Sequence, residues 1–255
     1  RNPNGEWLFS LTLLEKTHFS EFAVLCDSLI ESTKSTVTET DTWSSISEAY
    51  AEWLAFFKLS RGMTLASARG LFGELSFLVS LLGPSFAATP GDAIEAWIGP
   101  EKADQDFVFS SGVSVEVKSI LPSASKIKIA SENQLDFPGT QYLLTYAISQ
   151  ESSISQGQSL QDLAQNIETF LDPKLSQMFK TKLRLAGFST NEPYCVDYRF
   201  SVESSSAYQV DEPAFPKLAG GNIPSGVSDV SYSLLVPELA PFRLGEVEDL
   251  GTRIF

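Results

Sequence analysis

QDFVFSSGVSVEVKSI, at residues 105–120, contains the pattern that decides the fold. Two short strand-forming runs flank the turn residues 110–112, and this arrangement is typical of a β-hairpin. If the turn uses those three residues, Phe109 pairs with Val113, and the same register places Asp106 opposite Glu116. The sequence therefore predicts a hairpin in which two acidic residues face each other.

The second strand of this hairpin separates apolar residues from charged ones. Its valines, at positions 113, 115 and 117, point to one face, and Glu116 and Lys118 point to the other. Directly opposed residues have Cβ atoms roughly 4.5–5.5 Å apart, so two carboxylates there repel each other unless a divalent cation binds both. An ammonium at Lys118 can hold or deprotonate a water, or neutralise charge that develops on a phosphate. Such a strand face predicts a metal site that hydrolyses phosphodiesters.

A helix upstream of the hairpin carries a further acidic residue. Apolar periodicity predicts this helix over Leu65–Leu82, with its end at Gly83-Pro84. Glu74 has apolar residues one turn before and after it, and a carboxylate on an apolar stripe is costly unless it is paired, protonated or bound to a cation. Gly70 and Gly73 leave space for another element to approach the helix beside Glu74. We therefore expect this helix to abut the hairpin.

These residues together resemble the signature of the PD-(D/E)XK nuclease superfamily, in which an acid, a variable gap and acid-x-Lys span two strands of an αβββαβ core. A narrower resemblance covers most of the chain, from about residue 7 onward, and is to an uncharacterised bacterial branch found beside restriction and anti-phage genes. Gln105 stands where the signature has proline, and this branch commonly lacks that proline. The segments that carry the narrower resemblance are GLFGEL (70–75), WIGP (97–100), QDF (105–107), VEVK (115–118), SENQL (131–135), LQDL (160–163) and FP (215–216).

The resemblance implies an α/β (α+β) fold with a restriction-endonuclease-like core, in which helices flank a mixed central sheet. We expect residues 1–60 to form an N-terminal strand and helix extension packed on the core, with a strand at Trp7–Leu14 and helices at His18–Ile30 and Ile46–Leu59. Residues 61–150 would be the nuclease core, and the polar run Ser149–Gln158 marks the boundary. Residues 151–255 would be an accessory region, first helical and then β-rich, with Glu203–Ser206 as a loop.

The resemblance also implies roles for individual residues. Lys118 would position or activate the attacking water, and Gln134 would touch the substrate backbone or Lys118. Mg²⁺ is the implied cofactor, with Mn²⁺ as a substitute. Its implied ligands are Asp106, Glu116 and the Val117 carbonyl, with Glu74 as an accessory ligand or as the group that orients a metal-bound water.

Simpler interpretations of the same residues remain open at this point. Glu116 and Lys118 could lie on the solvent face of an edge strand, and Gln134 could be a capping or surface residue. Acid-x-Lys is a short motif that also occurs by chance, as at Asp172-Pro173-Lys174. That second occurrence lies between two predicted helices and has no partner acid in register.

The charge of the chain limits its nucleic-acid contacts. Asp and Glu number 32 against 18 Lys and Arg, and the net charge of −14 argues against a protein that coats nucleic acid or binds anionic membranes by charge alone. The basic residues are partly grouped, either as solvated faces or as phosphate contacts that position a backbone. The grouped candidates for substrate binding are Lys126, Lys128, Lys180, Lys182 and Arg184.

Scarce residues exclude other classes of site. His18 is the single histidine, and Cys26 and Cys195 form no CxxC, so zinc fingers and histidine-metal nucleases are excluded. No phosphate-binding glycine motif or G-x-S-x-G elbow occurs. No apolar run reaches the roughly 18 residues that span a bilayer. The chain begins at Arg1 without a signal-peptide pattern, so we expect a cytoplasmic protein with further residues upstream.

The sequence thus leads us to expect a Mg²⁺-dependent DNA endonuclease in a bacterial restriction or anti-phage system. It would act as a homodimer or with partner subunits, because one site cuts one strand and the acidic surface gives little affinity for DNA. One alternative is an inactive DNA-recognition or scaffold subunit that keeps the fold. Another is a metal-dependent hydrolase of a small acidic substrate.

Overall fold

The computed structural model describes residues 9–12, 19–34, 36–60, 63–152, 156–188, 198–219, 221, 223–224 and 226–255. The chain divides into two compact units, Arg1–Arg61 and Gly62–Phe255. In the described ranges, no helix combines the length and the apolar character that crossing a membrane requires.

The first unit contains two helices, α1 (Phe19–Thr33) and α2 (Glu39–Ser60), where the sequence predicts shorter ones. They pack through the buried residues Leu25, Leu29 and Ala49. Of the predicted strand at Trp7–Leu14, residues 9–12 form no strand and the rest lies outside the described residues, as do His18 and Cys195.

The second unit is built on one central sheet. The strands of this unit are β1 (Phe107–Val108), β2 (Val113–Ile120), β3 (Lys126–Ile129), β4 (Thr140–Glu151), β5 (Gln158–Ser159), β6 (Arg199–Gln209), β7 (Tyr232–Leu235) and β8 (Arg243–Gly245). The central sheet has the order β1-β2-β4-β6-β5, with β8 also paired to β6. Strands β2 and β4 run parallel and the other pairs are antiparallel. Separately, β3 and β7 form a two-stranded antiparallel sheet.

Helices cover one face of the central sheet. They are α3 (Leu65–Leu81), α4 (Pro90–Ala96), α5 (Leu160–Glu168), α6 (Pro173–Leu185) and the short α7 (Gly251–Ile254). Side-chain caps define where several of them start: Thr89 with Asp92 and Ser159 with Asp162 form capping boxes at α4 and α5. Buried side chains of these helices, such as Phe72 on α3, share the main core with the valines of β2.

A second, smaller core covers the opposite face of the sheet. Ile127 and Ile129 of β3 and Leu234 of β7 pack there against Leu143 and Tyr208 of the central sheet. Because both faces are covered, the β2 residues Ser114 and Glu116, which alternate with its valines, are also buried. Polar side chains of β2 are thereby enclosed inside the protein.

The element order confirms the predicted fold. With α4, β3, β5 and α6 set aside as additions, the remaining order up to β6 is α3, β1, β2, β4, α5, β6. This is helix, three strands, helix and strand in a mixed α/β unit whose sheet is mostly antiparallel. The predicted loop at Glu203–Ser206 is wrong, because those residues lie within β6, where residues 204–206 pair with β4. Strands β4 and β6 thus pair across the expected boundary at residues 150/151, and the division into three regions remains a prediction.

Candidate metal and catalytic site

The hairpin has the predicted register. Phe107 pairs with Val115 in β1 and β2, and the Phe109 N–H donates to the Val113 carbonyl at 2.8 Å. Continued by one residue, this register places Asp106 opposite Glu116. The turn chemistry and the alternation of β2 are therefore sufficient to bring the two acids together.

Glu116 is fully buried, at 0% exposure. Strand β2 lies between β1 and β4, and Glu116 is in register with Leu143, which belongs to the smaller core. The interpretation of Glu116 as a solvent-facing residue of an edge strand is therefore wrong. Its Oε1 forms an ion pair with the Lys118 Nζ at 2.6 Å, and neither carboxylate oxygen accepts a hydrogen bond of good geometry from the described residues. Burial raises the pKa of Glu116 well above its ordinary value, the charge of Asp106 raises it further, and Lys118 lowers it.

Asp106 is held by the strand opposite it. Its Oδ2 accepts a hydrogen bond of 2.8 Å from the backbone N–H of Val117. Burial raises the pKa of this carboxyl, while the Lys118 ammonium and the Val117 N–H lower it. The backbone of Val117 thus orients Asp106 from the same strand that carries Glu116 and Lys118.

Glu74 reaches the same region from α3. Its Oε2 accepts a hydrogen bond of 2.8 Å from the indole N–H of Trp97. A Cβ built at Gly99 would lie 2.9 Å from Asp106 Oδ1 and 3.5 Å from Glu74 Oε2, so the two carboxylates converge at this glycine. Burial, and next the charge of Asp106, raise the pKa of Glu74 to about 8, against the opposing effects of the Trp97 hydrogen bond and Lys118.

Glycine on α3 allows the helix to approach β2. A Cβ at Gly73 would collide with Oγ of Ser119, the residue after Lys118, whereas a Cβ at Gly70 would meet nothing within 4 Å. The close approach expected beside Glu74 therefore depends on Gly73, and the same expectation for Gly70 is wrong.

Gln134 lies against Lys118. Its Oε1 accepts hydrogen bonds from Lys118 Nζ at 3.1 Å and from the Ala130 N–H at 2.7 Å. The backbone around it is also held, because the side chains of Gln105 and Gln141 donate to the carbonyls of residues 133 and 134, each at 2.8 Å. Lys118 is thereby fixed between a carboxylate and a side-chain amide.

The donor types suit a hard divalent cation. Carboxylate and carbonyl oxygens are the ligands that Mg²⁺ prefers, and the buried, unpartnered Oε2 of Glu116 is available to accept a cation or a proton. Within the ranges that the structure describes, no three or more His, Cys, Asp and Glu side chains form a cluster that could hold a metal ion. Asp106, Glu116 and the Val117 carbonyl remain the predicted ligands, and Glu74 remains predicted as an accessory ligand or as the group that orients a bound water.

The structure does not bring the predicted basic residues together as one free surface. Lys126 and Lys128 point to solvent from β3, and Arg184 is exposed on α6. Lys180 is exposed and lies 3.0 Å from Glu168. The prediction that Lys182 binds substrate is wrong, because this residue is buried at 5% exposure and its ammonium contacts the Trp97 carbonyl and the Glu101 carboxylate.

Sequence reasoning missed Trp97 and Gly99 as parts of the site. Both lie in the segment WIGP (97–100), whose sequence shows a family resemblance and no sign of a role in the site. A buried indole needs an acceptor for its N–H, and this requirement could have suggested an acidic partner for Trp97. That the acceptor is Glu74 depends on tertiary structure.

Comparison with protein-family models gives a match over residues 1–236, to the family described as "Putative PD-(D/E)XK family member, (DUF4420)". The matched range includes Glu74, Asp106, Glu116 and Lys118. Neither the comparison with curated proteins nor the comparison with solved structures gives a match.

Proposed function

We propose, because the chain belongs to the PD-(D/E)XK family that matches residues 1–236, that it is a Mg²⁺-dependent DNA endonuclease. It would act in the cytoplasm of a bacterium, in a restriction or anti-phage defence system. The reaction would be hydrolysis of a phosphodiester by an activated water.

The observation that carries this proposal is the placement of Lys118. Its ammonium is half-buried, 2.6 Å from Glu116 and 3.1 Å from Gln134, on the strand whose backbone also holds Asp106. A structural lysine is ordinarily directed to solvent, since burying an ammonium is costly. A lysine held at the end of a pair of carboxylates is suited to bind a water or a phosphate oxygen.

Each residue has a definite task in the proposed reaction. A bound Mg²⁺ would supply Lewis-acid stabilisation of the phosphate and lower the pKa of a water. Asp106, Glu116 and the Val117 carbonyl would hold it, and Glu74 would accept a hydrogen bond from a water beside them. Lys118 Nζ, oriented by Gln134, would donate to the attacking water or to a phosphate oxygen and would neutralise the developing charge.

Substrate binding would be weak without further contacts. The exposed ammonium groups of Lys126 and Lys128 and the guanidinium of Arg184 are candidate phosphate contacts, which position the backbone without selecting a sequence. A net charge of −14 opposes association with DNA. We therefore propose that the chain works as a homodimer or with partner subunits that add affinity.

A second candidate function is favoured by one contact. The ion pair between Lys118 and Glu116 neutralises a buried carboxylate without a metal. This contact would also suit a protein that keeps the fold and binds DNA as a non-catalytic recognition or scaffold subunit.

Cleavage of plasmid and phage DNA in Mg²⁺ separates the two candidates. The wild type is compared with Asp106→Ala and Lys118→Ala, and with Lys174→Ala as the matched control, since Lys174 is the exposed lysine of the other acid-x-Lys sequence. Cleavage by the wild type and Lys174→Ala that both site variants lose supports the nuclease. DNA binding without cleavage, unchanged in every variant, supports the scaffold, and full activity in Lys118→Ala would refute the proposed mechanism.

A further inference from the structure

We infer that Lys182 is a positioning residue for this site, which it reaches through the segment Trp97–Glu101. The inference rests on the proposed function, because the groups that the segment holds are Glu74 and Asp106. Lys182 itself lies on α6 and touches neither carboxylate.

The ammonium of Lys182 joins the two ends of the segment. Its Nζ donates to the Trp97 carbonyl at 2.5 Å and lies 2.9 Å from the Glu101 carboxylate. The side chain is buried, and a buried ammonium is stable only where such partners surround it. Loss of Lys182 would therefore free both ends of the segment.

The segment holds both acids of the site. The indole of Trp97 donates to Glu74, and the backbone N–H groups of Ile98 and Gly99 both donate to the Asp106 carbonyl at 2.9 Å. The absent side chain of Gly99 gives Asp106 and Glu74 room to converge. A shift of this segment would therefore move both carboxylates.

Helix α6 supports the segment at a second point. The ring of Phe179, three residues before Lys182 and on the same helix face, lies 5.9 Å from the indole of Trp97. At the other end, Lys102 adopts a left-handed backbone with φ of 64°, a conformation that persists only where neighbouring contacts maintain it. Helix α6 thus supports the segment through the polar contacts of Lys182 and the ring contact of Phe179.

The decisive experiment uses the full chain with Lys182→Met, which keeps the length of the side chain and removes its charge. Lys174→Met is the matched control, because Lys174 is an exposed lysine on the same helix. Two properties are measured: the indole ¹⁵N–H resonance of Trp97, assigned with Trp97→Phe, and the affinity for Mn²⁺ by calorimetry.

We expect Lys182→Met to move the Trp97 indole resonance and to weaken Mn²⁺ binding roughly tenfold or more, as the loss of a supporting shell does. Where DNA is cleaved, kcat should fall with little change in KM, since the reacting groups are displaced and the DNA-binding surface is not. Lys174→Met should leave the indole resonance, the Mn²⁺ affinity and the cleavage kinetics at their wild-type values.

Wild-type values of the indole resonance and of Mn²⁺ affinity in folded Lys182→Met would overturn the inference. So would a moved resonance with unchanged Mn²⁺ affinity, which would make Lys182 a purely structural residue. If Lys182→Met does not fold, Glu101→Gln, which alters a half-exposed partner of the ammonium, must both move the resonance and weaken Mn²⁺ binding in its place. Failure of the proposed function is distinguishable, because it appears in the wild type as absent Mn²⁺ binding and absent cleavage.

Discussion

The ammonium of Lys118 lies 2.6 Å from Oε1 of Glu116, and this carboxylate has no exposure to solvent. The pair sits inside a sheet whose two faces are both covered. A buried ion pair of this kind contributes little net stability, but removal of one partner leaves an uncompensated charge. Net stability alone therefore does not account for the pair, and a role of the two groups in binding a cation or substrate does.

Lys118→Met should lower the free energy of unfolding at pH 8 by roughly 3 kcal/mol, because Glu116 is left buried without its cation. The double variant Glu116→Gln with Lys118→Met should recover most of that loss. Urea unfolding measures both, and equal stability of the single and double variants would show that the pair is not coupled.

Glu74 should make the metal-free protein less stable as pH rises. Its pKa is raised from 4.5 to about 8, so the folded state binds more protons than the unfolded state between those values. This contribution to stability is complete below about pH 4.5 and is lost as pH increases through 8. Melting temperatures from pH 5 to pH 9 should fall less steeply in Glu74→Gln than in the wild type. Glu95→Gln, at an exposed position on α4, should follow the wild-type curve.

Divalent cations should restore the stability that the metal-free protein loses as pH rises. Mg²⁺ or Mn²⁺ binds the ionised carboxylates of the folded state, so the increase in melting temperature should be larger at pH 8 than at pH 6. Asp106→Asn should abolish the increase, and Asp104→Asn, at an exposed position two residues away, should retain it. An equal increase in Asp106→Asn would place the cation elsewhere.

The two glycines of α3 should respond in opposite directions to alanine. Gly73→Ala should destabilise the protein by roughly 0.5–1.5 kcal/mol, because its Cβ forces the Ser119 hydroxyl out of its present rotamer. Gly70→Ala has open space and should stabilise the helix by up to about 1 kcal/mol. Chemical denaturation gives the free energy of unfolding of each variant. Equal changes in the two variants would contradict the close packing of α3 against β2.

The sequence was sufficient to predict the hairpin and the helix beside it. Turn length and alternation determine which residues of a hairpin oppose each other, so the placement of Asp106 against Glu116 follows from local pattern. The apolar stripe around Glu74 likewise indicated a buried helix face. These signals are local, and the family resemblance supplied their order in the αβββαβ core.

Other parts of the site depend on contacts between distant residues. The partners Trp97 and Glu74 are 23 residues apart, and Lys182 and Trp97 are 85 apart, so no periodicity marks them. Lys182 follows the pattern of a solvated helix, and its burial comes from the segment that packs over it. The serines of β6 have the composition of a loop and form a strand because β4 pairs with them.

A plasmid-cleavage assay in Mg²⁺ tests the central claim most directly. It measures the rate at which the purified wild type and Lys118→Ala each convert supercoiled plasmid to nicked or linear DNA. The account predicts cleavage by the wild type that EDTA abolishes and a loss of roughly a hundredfold or more in Lys118→Ala, since the variant lacks the group that stabilises the developing charge. Equal rates in the two proteins, or cleavage that persists in EDTA, would contradict it.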